Sequence, residues 1–204
     1  MKRQQFAVIG LGRFGAAMAT TLTELGQDVI GVDGEAERVR ELADIISQAI
    51  ELDATDVRAL KAAGIQDVDV AVVSIGENIE SSLLVVMQLR ELGIQKIIAK
   101  AVTPLHGKIL EKLGVTRVIF PEREMAIRVA HGLVTPDVVD YIELSRDFSI
   151  VELPAPAMFV DKTLKQLELR PRYGLTLIAI KRRTGGPDTP IVTNVAPAAA
   201  ETIR

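Results

Sequence analysis

Three glycines, an arginine and an aspartate carry the chemistry that stands out first. In FAVIGLGRFGAAMATTLTELGQDVIGVD, residues 6 to 33, the residues Gly10, Gly12 and Gly15 fit the spacing G-x-G-x-x-G. Arg13 and Phe14 fall between the second and third of them, and Asp33 follows about twenty residues on. Between a strand and a helix this spacing serves a phosphate. The first glycine permits a tight turn, the second admits phosphate to the backbone, and the third lets helix and strand pack closely. The helix N-terminus adds free N–H donors and the positive end of its dipole. At the end of a second strand, Asp33 is expected to accept hydrogen bonds from both ribose hydroxyls and to repel a 2′-phosphate, which disfavours NADP. It also reads as a cap of the next helix. Arg13 suits an anionic β- or γ-phosphate, since charge-assisted contacts are strong; in solvent it would simply cover the sheet edge.

Further candidates follow later strands. ELDATD places Asp53, Ala54 and Thr55, and SIGEN places Ser74, Ile75, Gly76 and Asn78, at the carboxyl edge where open α/β sheets bind ligands. Ala54 and Thr55 suit an adenine edge, and Ile75 and Gly76 a ribose. The same stretches also read as helix starts, with Asp53 and Asn78 as caps. Lys100 ends the strand IIAKA and reaches either phosphate or solvent. Glu122, in FPERE, either meets phosphate through a divalent cation or favours a helix dipole as a first-turn acid. His106 and His131 are the only histidines, and they read as packed or solvated side chains. No G-x-S-x-G elbow, Tyr-x-x-x-Lys pair or His–Asp neighbourhood is present.

These residues need a scaffold. FAVIG, DVIGVD, SQAIELD, DVAVVSI, KIIAKA and TRVIFP read as strands alternating with five helical stretches. Gly26, Gly64, Gly93 and Gly114 fall where those helices should stop. Over residues 1–120 the pattern predicts an α/β, Rossmann-like doubly wound parallel six-stranded sheet of order 3-2-1-4-5-6. Residues 121–144 then read as a helix-turn-helix, with Met125, Val129 and Leu133 on one stripe and Thr135 capping a second helix that starts at Pro136. We read this as a crossover arm packing on another subunit; the alternative is a helix folded back on its own sheet. Residues 145–204 read as a small α+β domain of short strands with a brief helix in DKTLKQLEL. Its last twenty residues look unable to close a sheet.

Composition bounds the answer. The chain has 204 residues, of which 48% are hydrophobic and only 3% aromatic, which suits an aliphatic sheet buried on both faces. A net charge of −3 gives no overall positive field for nucleic acid or anionic lipid. The absence of cysteine excludes disulfides, thiol nucleophiles and thiolate metal sites. No secretory signal is evident, and no apolar stretch approaches the roughly 20 residues of a membrane span. A soluble, cytoplasmic protein is expected.

Taken together, FAVIGLGRFG, Asp33, DATD, SIGEN, IIAK, LGVTRVIFPEREMA and DVVDYIELSRDFSIVEL resemble the RCK (regulator of potassium conductance) family, in particular its KtrA/TrkA-type cytoplasmic subunits of bacterial potassium uptake systems. The resemblance covers nearly the whole chain. It implies a nucleotide-binding RCK_N domain, a crossover helix and an RCK_C domain. It also implies a homodimer assembling into an octameric ring that gates an integral-membrane potassium channel or transporter subunit at the inner face of the cell membrane. ATP or ADP, or NAD(H), is the implied ligand, with no enzymatic turnover. By the same resemblance Arg13 reads a γ-phosphate across the dimer, Asp33 holds the ribose, Lys100 lies on the phosphate side, and Glu122 holds a cation (magnesium or calcium). Arg170 and Thr176 fall where some relatives bind cyclic di-AMP. Two departures stand out: Leu52 replaces the usual glycine or asparagine before the aspartate of DATD, and the terminal strand typical of RCK_C is lacking, so that strand is expected to be missing or disordered. The rival readings are an NAD-dependent oxidoreductase, a redox-sensing transcription factor and the sensor domain of a potassium efflux system.

Overall fold

The computed structural model describes residues 3–134, 140–145, 147–183 and 190–203. The chain divides into two compact units, Met1–Ile127 and Arg128–Arg204.

The first unit holds strands β1 (Gln5–Ile9), β2 (Asp28–Asp33), β3 (Gln48–Glu51), β4 (Val70–Val73), β5 (Ile97–Lys100) and β6 (Arg117–Ile119). They alternate with helices α1 (Arg13–Glu24), α2 (Ala36–Leu42), α3 (Val57–Ala62), α4 (Ile79–Glu91) and α5 (Pro104–Lys112). The sheet is six-stranded, with the expected order β3-β2-β1-β4-β5-β6, and every pairing is parallel. Alternate residues of the central strands feed two faces. Ala7, Ile9, Ala71 and Val73 join Leu60, Val85, Leu89 and Leu110 from α3, α4 and α5. Val8 and Val72 join Ala19, Val39 and Leu42 from α1 and α2. Burial on both faces explains why these strands read as continuous apolar runs. The glycines Gly26, Gly64, Gly93 and Gly114 take the left-handed conformation at helix ends, as expected.

The sheet leaves its carboxyl edge lined by loops and helix N-termini. Three of the helices are closed there by side chains. Asp56 accepts from the Arg58 amide on α3, Asn78 from Ser81 on α4, and Thr103 from His106 on α5. By contrast, α1 starts at Gly12, with no side-chain cap. Its first-turn N–H groups therefore remain available to an outside acceptor.

Helix α6 (Pro121–Val134) is present as expected, and none of its residues is buried. Its apolar stripe is exposed, with Met125 at 54%, Val129 at 51% and Leu133 at 82%. Of the second helix expected after it, the described part differs: Asp140–Ser145 form a strand, β7, paired antiparallel with β8 (Phe148–Glu152). The β-branched and aromatic character of DYIELS, facing FSIVE across a short turn, outweighs the helical spacing read there. Thr135 and Pro136 lie outside the described residues. The brief helix of DKTLKQLEL is α7 (Leu164–Leu167), started by a capping box between Thr163 and Gln166 and followed by α8 (Leu169–Tyr173). Only the end of YGLTLIAIKR is extended, as β9 (Ala179–Arg183). Within the last twenty residues, Ile191–Val195 form β10, antiparallel to β9. It is tied down further by Arg182, which pairs with Glu201 at 2.7 Å and donates to the Thr202 carbonyl at 2.6 Å. Among the described residues, no helix is long and apolar enough to cross a membrane.

Candidate functional site

The carboxyl edge of the first sheet encloses an open cleft of about 1010 Å³. It is lined by Gly10, Gly12, Arg13 and Phe14 from the first loop and by Asp33 from β2. Asp53, Ala54, Thr55, Ile75, Gly76, Lys100 and Glu122 line it further on. Every one of these sequence-predicted positions therefore meets in one place. Gly15 is the exception that proves a different use, because it is buried beneath the loop.

The glycines divide their work. Gly10 takes φ +92°, a turn that a side chain would strain. A Cβ on Gly15 would sit 1.8 Å from the Gly10 carbonyl oxygen, so only glycine allows α1 this close to the strand end. A Cβ on Gly12 would meet no atom within 4 Å. The open space above Gly12 is where an anion would approach the α1 N-terminus.

One pole of the cleft is built for negative charge. Arg13 opens α1 and is exposed. The Lys100 ammonium, whose side chain is only 13% exposed, lies 2.5 Å from a Glu122 carboxylate oxygen. That hydrogen bond, with the Glu122 backbone N–H and the nearby charge of Arg13, holds the Glu122 carboxyl below its ordinary value. Lys100 thus stands ready for an anion but is occupied by Glu122 in this state. Among the described residues no group of three or more His, Asp or Glu side chains could hold a metal ion, at Glu122 or elsewhere.

Asp33 marks the other pole. Its side chain is 7% exposed, and it is used from within. It accepts from the Leu11 amide at 2.6 Å and from the Glu35 amide at 2.9 Å, but it is not the cap of α2, whose N-cap is Glu35 with no side-chain cap. Arg38 approaches the same carboxylate at 3.5 Å. With about four lone-pair sites on a carboxylate, three such partners leave room for one more donor. Asp33 therefore fastens the glycine loop to the end of β2 while keeping one acceptor site for a ligand.

The downstream candidates split. Asp53 is not a helix cap, a role that Asp56 fills; it accepts from the Thr55 hydroxyl at 2.7 Å and the Thr55 amide at 2.8 Å. Those two donors hold the Asp53 carboxyl below its ordinary value. Gln88 of α4 donates to the Thr55 carbonyl and so braces this turn from behind. Asn78 is the cap of α4 as well as a cleft residue. Gly76 packs beside the end of Lys100, and a Cβ there would lie 3.4 Å from Nζ, an ordinary van der Waals contact. Arg170 in α8 and Thr176 just after it are exposed in the second unit. His106 is a packed residue, 1% exposed; His131 stacks on Tyr141 with ring centroids 4.4 Å apart.

Arg38 and Glu77 were missed in the sequence. A signal for Arg38 does exist. It sits in the first turns of α2, where the helix dipole disfavours a cation unless carboxylates surround it. Here they do, since Arg38 also lies 3.0 Å from Glu35 and 3.9 Å from Glu77.

Comparison with known proteins agrees with this arrangement. The family model for the TrkA-N domain matches residues 6–121. The Ktr system potassium uptake protein C of Bacillus subtilis is 42% identical over 193 residues, covering 95% of this chain and 87% of that protein. The Ktr system potassium uptake protein A of the same organism is 40% identical, covering 89% of this chain and 82% of its own length. Among solved structures, the GsuK channel bound to NAD superposes with a TM-score of 0.65 at 18% identity, covering 99% of this chain and 36% of that one. That last likeness speaks for the fold alone. On the family match and the near full-length similarity to both Ktr proteins, the chain belongs to the TrkA-N family, as a KtrA/TrkA-type RCK protein.

Proposed function

We propose that this chain is a nucleotide-sensing cytoplasmic regulatory subunit of a potassium uptake system. In this reading the cleft binds ATP or ADP, or NAD(H), and its occupancy is converted into a change of shape rather than into a reaction. The observation that carries it is a single cleft holding an uncapped helix N-terminus and Arg13 at one pole and Asp33 at the other. Phosphates would sit against the α1 amides and Arg13, and the ribose would donate to the acceptor site left on Asp33. The names of the relatives, potassium uptake proteins, supply the system in which the switch works.

A polyphosphate entering this pole competes with Glu122 for Lys100. Released from Lys100, Glu122 gains a free carboxylate that a magnesium or calcium ion could share with phosphate oxygens, cations that prefer oxygen ligands. One carboxylate is too few to hold such an ion, so the nucleotide and a second copy of the chain would supply the rest. The exposed stripe of Met125, Val129 and Leu133 on α6 suits that second copy, a homodimer from which an octameric ring would assemble at the inner face of the membrane beside its transporter subunit. Ligands shift such an assembly only by their differential affinity for its two shapes. Turnover is not part of the proposal, because the relatives are named as potassium uptake proteins rather than as enzymes.

The test is to identify by mass the nucleotide retained by purified protein and to titrate ATP, ADP and NAD into nucleotide-free protein. Saturable binding that is lost in Asp33→Ala is expected. A protein indifferent to all three would overturn the assignment.

A further inference from the structure

The adenosine end of the cleft carries a cation that the ribose aspartate does not fully use. Each Asp33 oxygen accepts one amide hydrogen bond, from Leu11 and from Glu35. Arg38 stands outside it with a side chain 32% exposed. Its guanidinium lies 3.5 Å from Asp33, 3.0 Å from Glu35 and 3.9 Å from Glu77. The two glutamate side chains are largely exposed, 60% and 91%, and come from opposite lips of the cleft, the β2–α2 and β4–α4 loops. An acidic residue at the end of β2 selects a free 2′-hydroxyl, whereas an arginine nearby accommodates a 2′-phosphate. This chain holds both elements side by side.

We propose that Glu35 and Glu77 are specificity-determining residues that keep 2′-phosphorylated adenosine out by occupying Arg38. The inference rests on the cleft being the nucleotide site argued above. A guanidinium offers five N–H donors in a fixed fork that matches phosphate as well as carboxylate. Around Arg38, three carboxylates leave a local charge of about −2 by simple addition of formal charges, which repels a dianionic 2′-phosphate. Asp33 alone would be nearly balanced by Arg38. The exclusion therefore depends on the two exposed glutamates, and removing their charge should expose a cation already in position.

Calorimetric titration with NAD and NADP tests this on the full chain, using the parent, the double variant Glu35→Gln/Glu77→Gln, and the same double variant with Arg38→Ala. The glutamates are exposed, so the substitutions leave the core untouched. The parent should favour NAD. In the double variant the ratio of the NADP to the NAD dissociation constant should fall by about tenfold, and more at low salt. Adding Arg38→Ala should restore the parental ratio. A ratio unchanged in the double variant, or one that stays low without Arg38, would overturn the proposal. Failure of the parent to bind ATP, ADP or NAD at all would instead overturn the nucleotide assignment, and this inference with it.

Discussion

The two units solve the problem of burial differently. In the first, alternate residues of central strands fill an aliphatic core on both faces of one sheet. In the second, only Leu167 and Ile203 are buried hydrophobics among the described residues. Its β7–β8 hairpin leaves Ile142, Leu144 and Phe148 exposed at 47%, 63% and 71%. An isolated two-stranded hairpin is marginal in water. The first unit thus carries its own stability, and its cleft can be rigid. The second is held by caps and ion pairs such as Thr163–Gln166 and Arg182–Glu201.

That contrast can be broken directly. Leu89→Ala, at a position 0% exposed in the first core, should lower unfolding stability by about 2–5 kcal/mol in thermal or denaturant melts. Phe148→Ala should cost the folded chain about 0.5 kcal/mol or less, as surface changes do, while shifting sedimentation toward smaller species if a second copy covers the hairpin. Equal losses in both variants would contradict the division.

A smaller effect tests the cleft's rigidity. Gly15→Ala places a Cβ where the Gly10 carbonyl already stands, so the loop must shift. We expect about 1–3 kcal/mol of destabilisation from overpacking, together with a disproportionate loss of nucleotide affinity. Retained affinity with lowered stability would mean that the loop does not bind phosphate.

The smallest effect is one of pH. His106 is buried, and burial pushes its imidazole below the ordinary value of 6.5. Neutral in the folded state, it contributes stability that is fully present above the unfolded pKa. That contribution is lost as pH falls below 6.5 and through the lower folded value, because the unfolded chain takes up the proton first. Melts of the parent and of His106→Gln between pH 7.5 and 5 should converge as the pH is lowered (a range chosen to bracket about 6.5). Parallel curves would show that the histidine does not titrate.

How legible all this was depends on the range of the interactions involved. The first sheet was readable because its strands are short apolar runs and four of its five helices end in glycine, and both signals are local. The glycine motif was readable for the same reason. DYIELS misled because its apolar spacing suits a helix as well as a strand, and its partner FSIVE decided the matter. The tail shows its prolines and glycines in sequence, but not β9 or the Arg182–Glu201 pair that hold β10. In the cleft, residue types were legible but their present partners were not. Lys100 spends its charge on Glu122, and Asp33 spends two acceptor sites on backbone amides, through contacts made only once the chain has folded.

The central claim is that the phosphate pole senses charge through Arg13. The most direct test is to titrate ATP and ADP into nucleotide-free parent protein and Arg13→Ala. The account predicts that the parent separates the two nucleotides and that the variant loses most of that separation, about tenfold in the ATP affinity, the scale of one charge-assisted hydrogen bond. A variant that separates ATP from ADP as well as the parent does would contradict it.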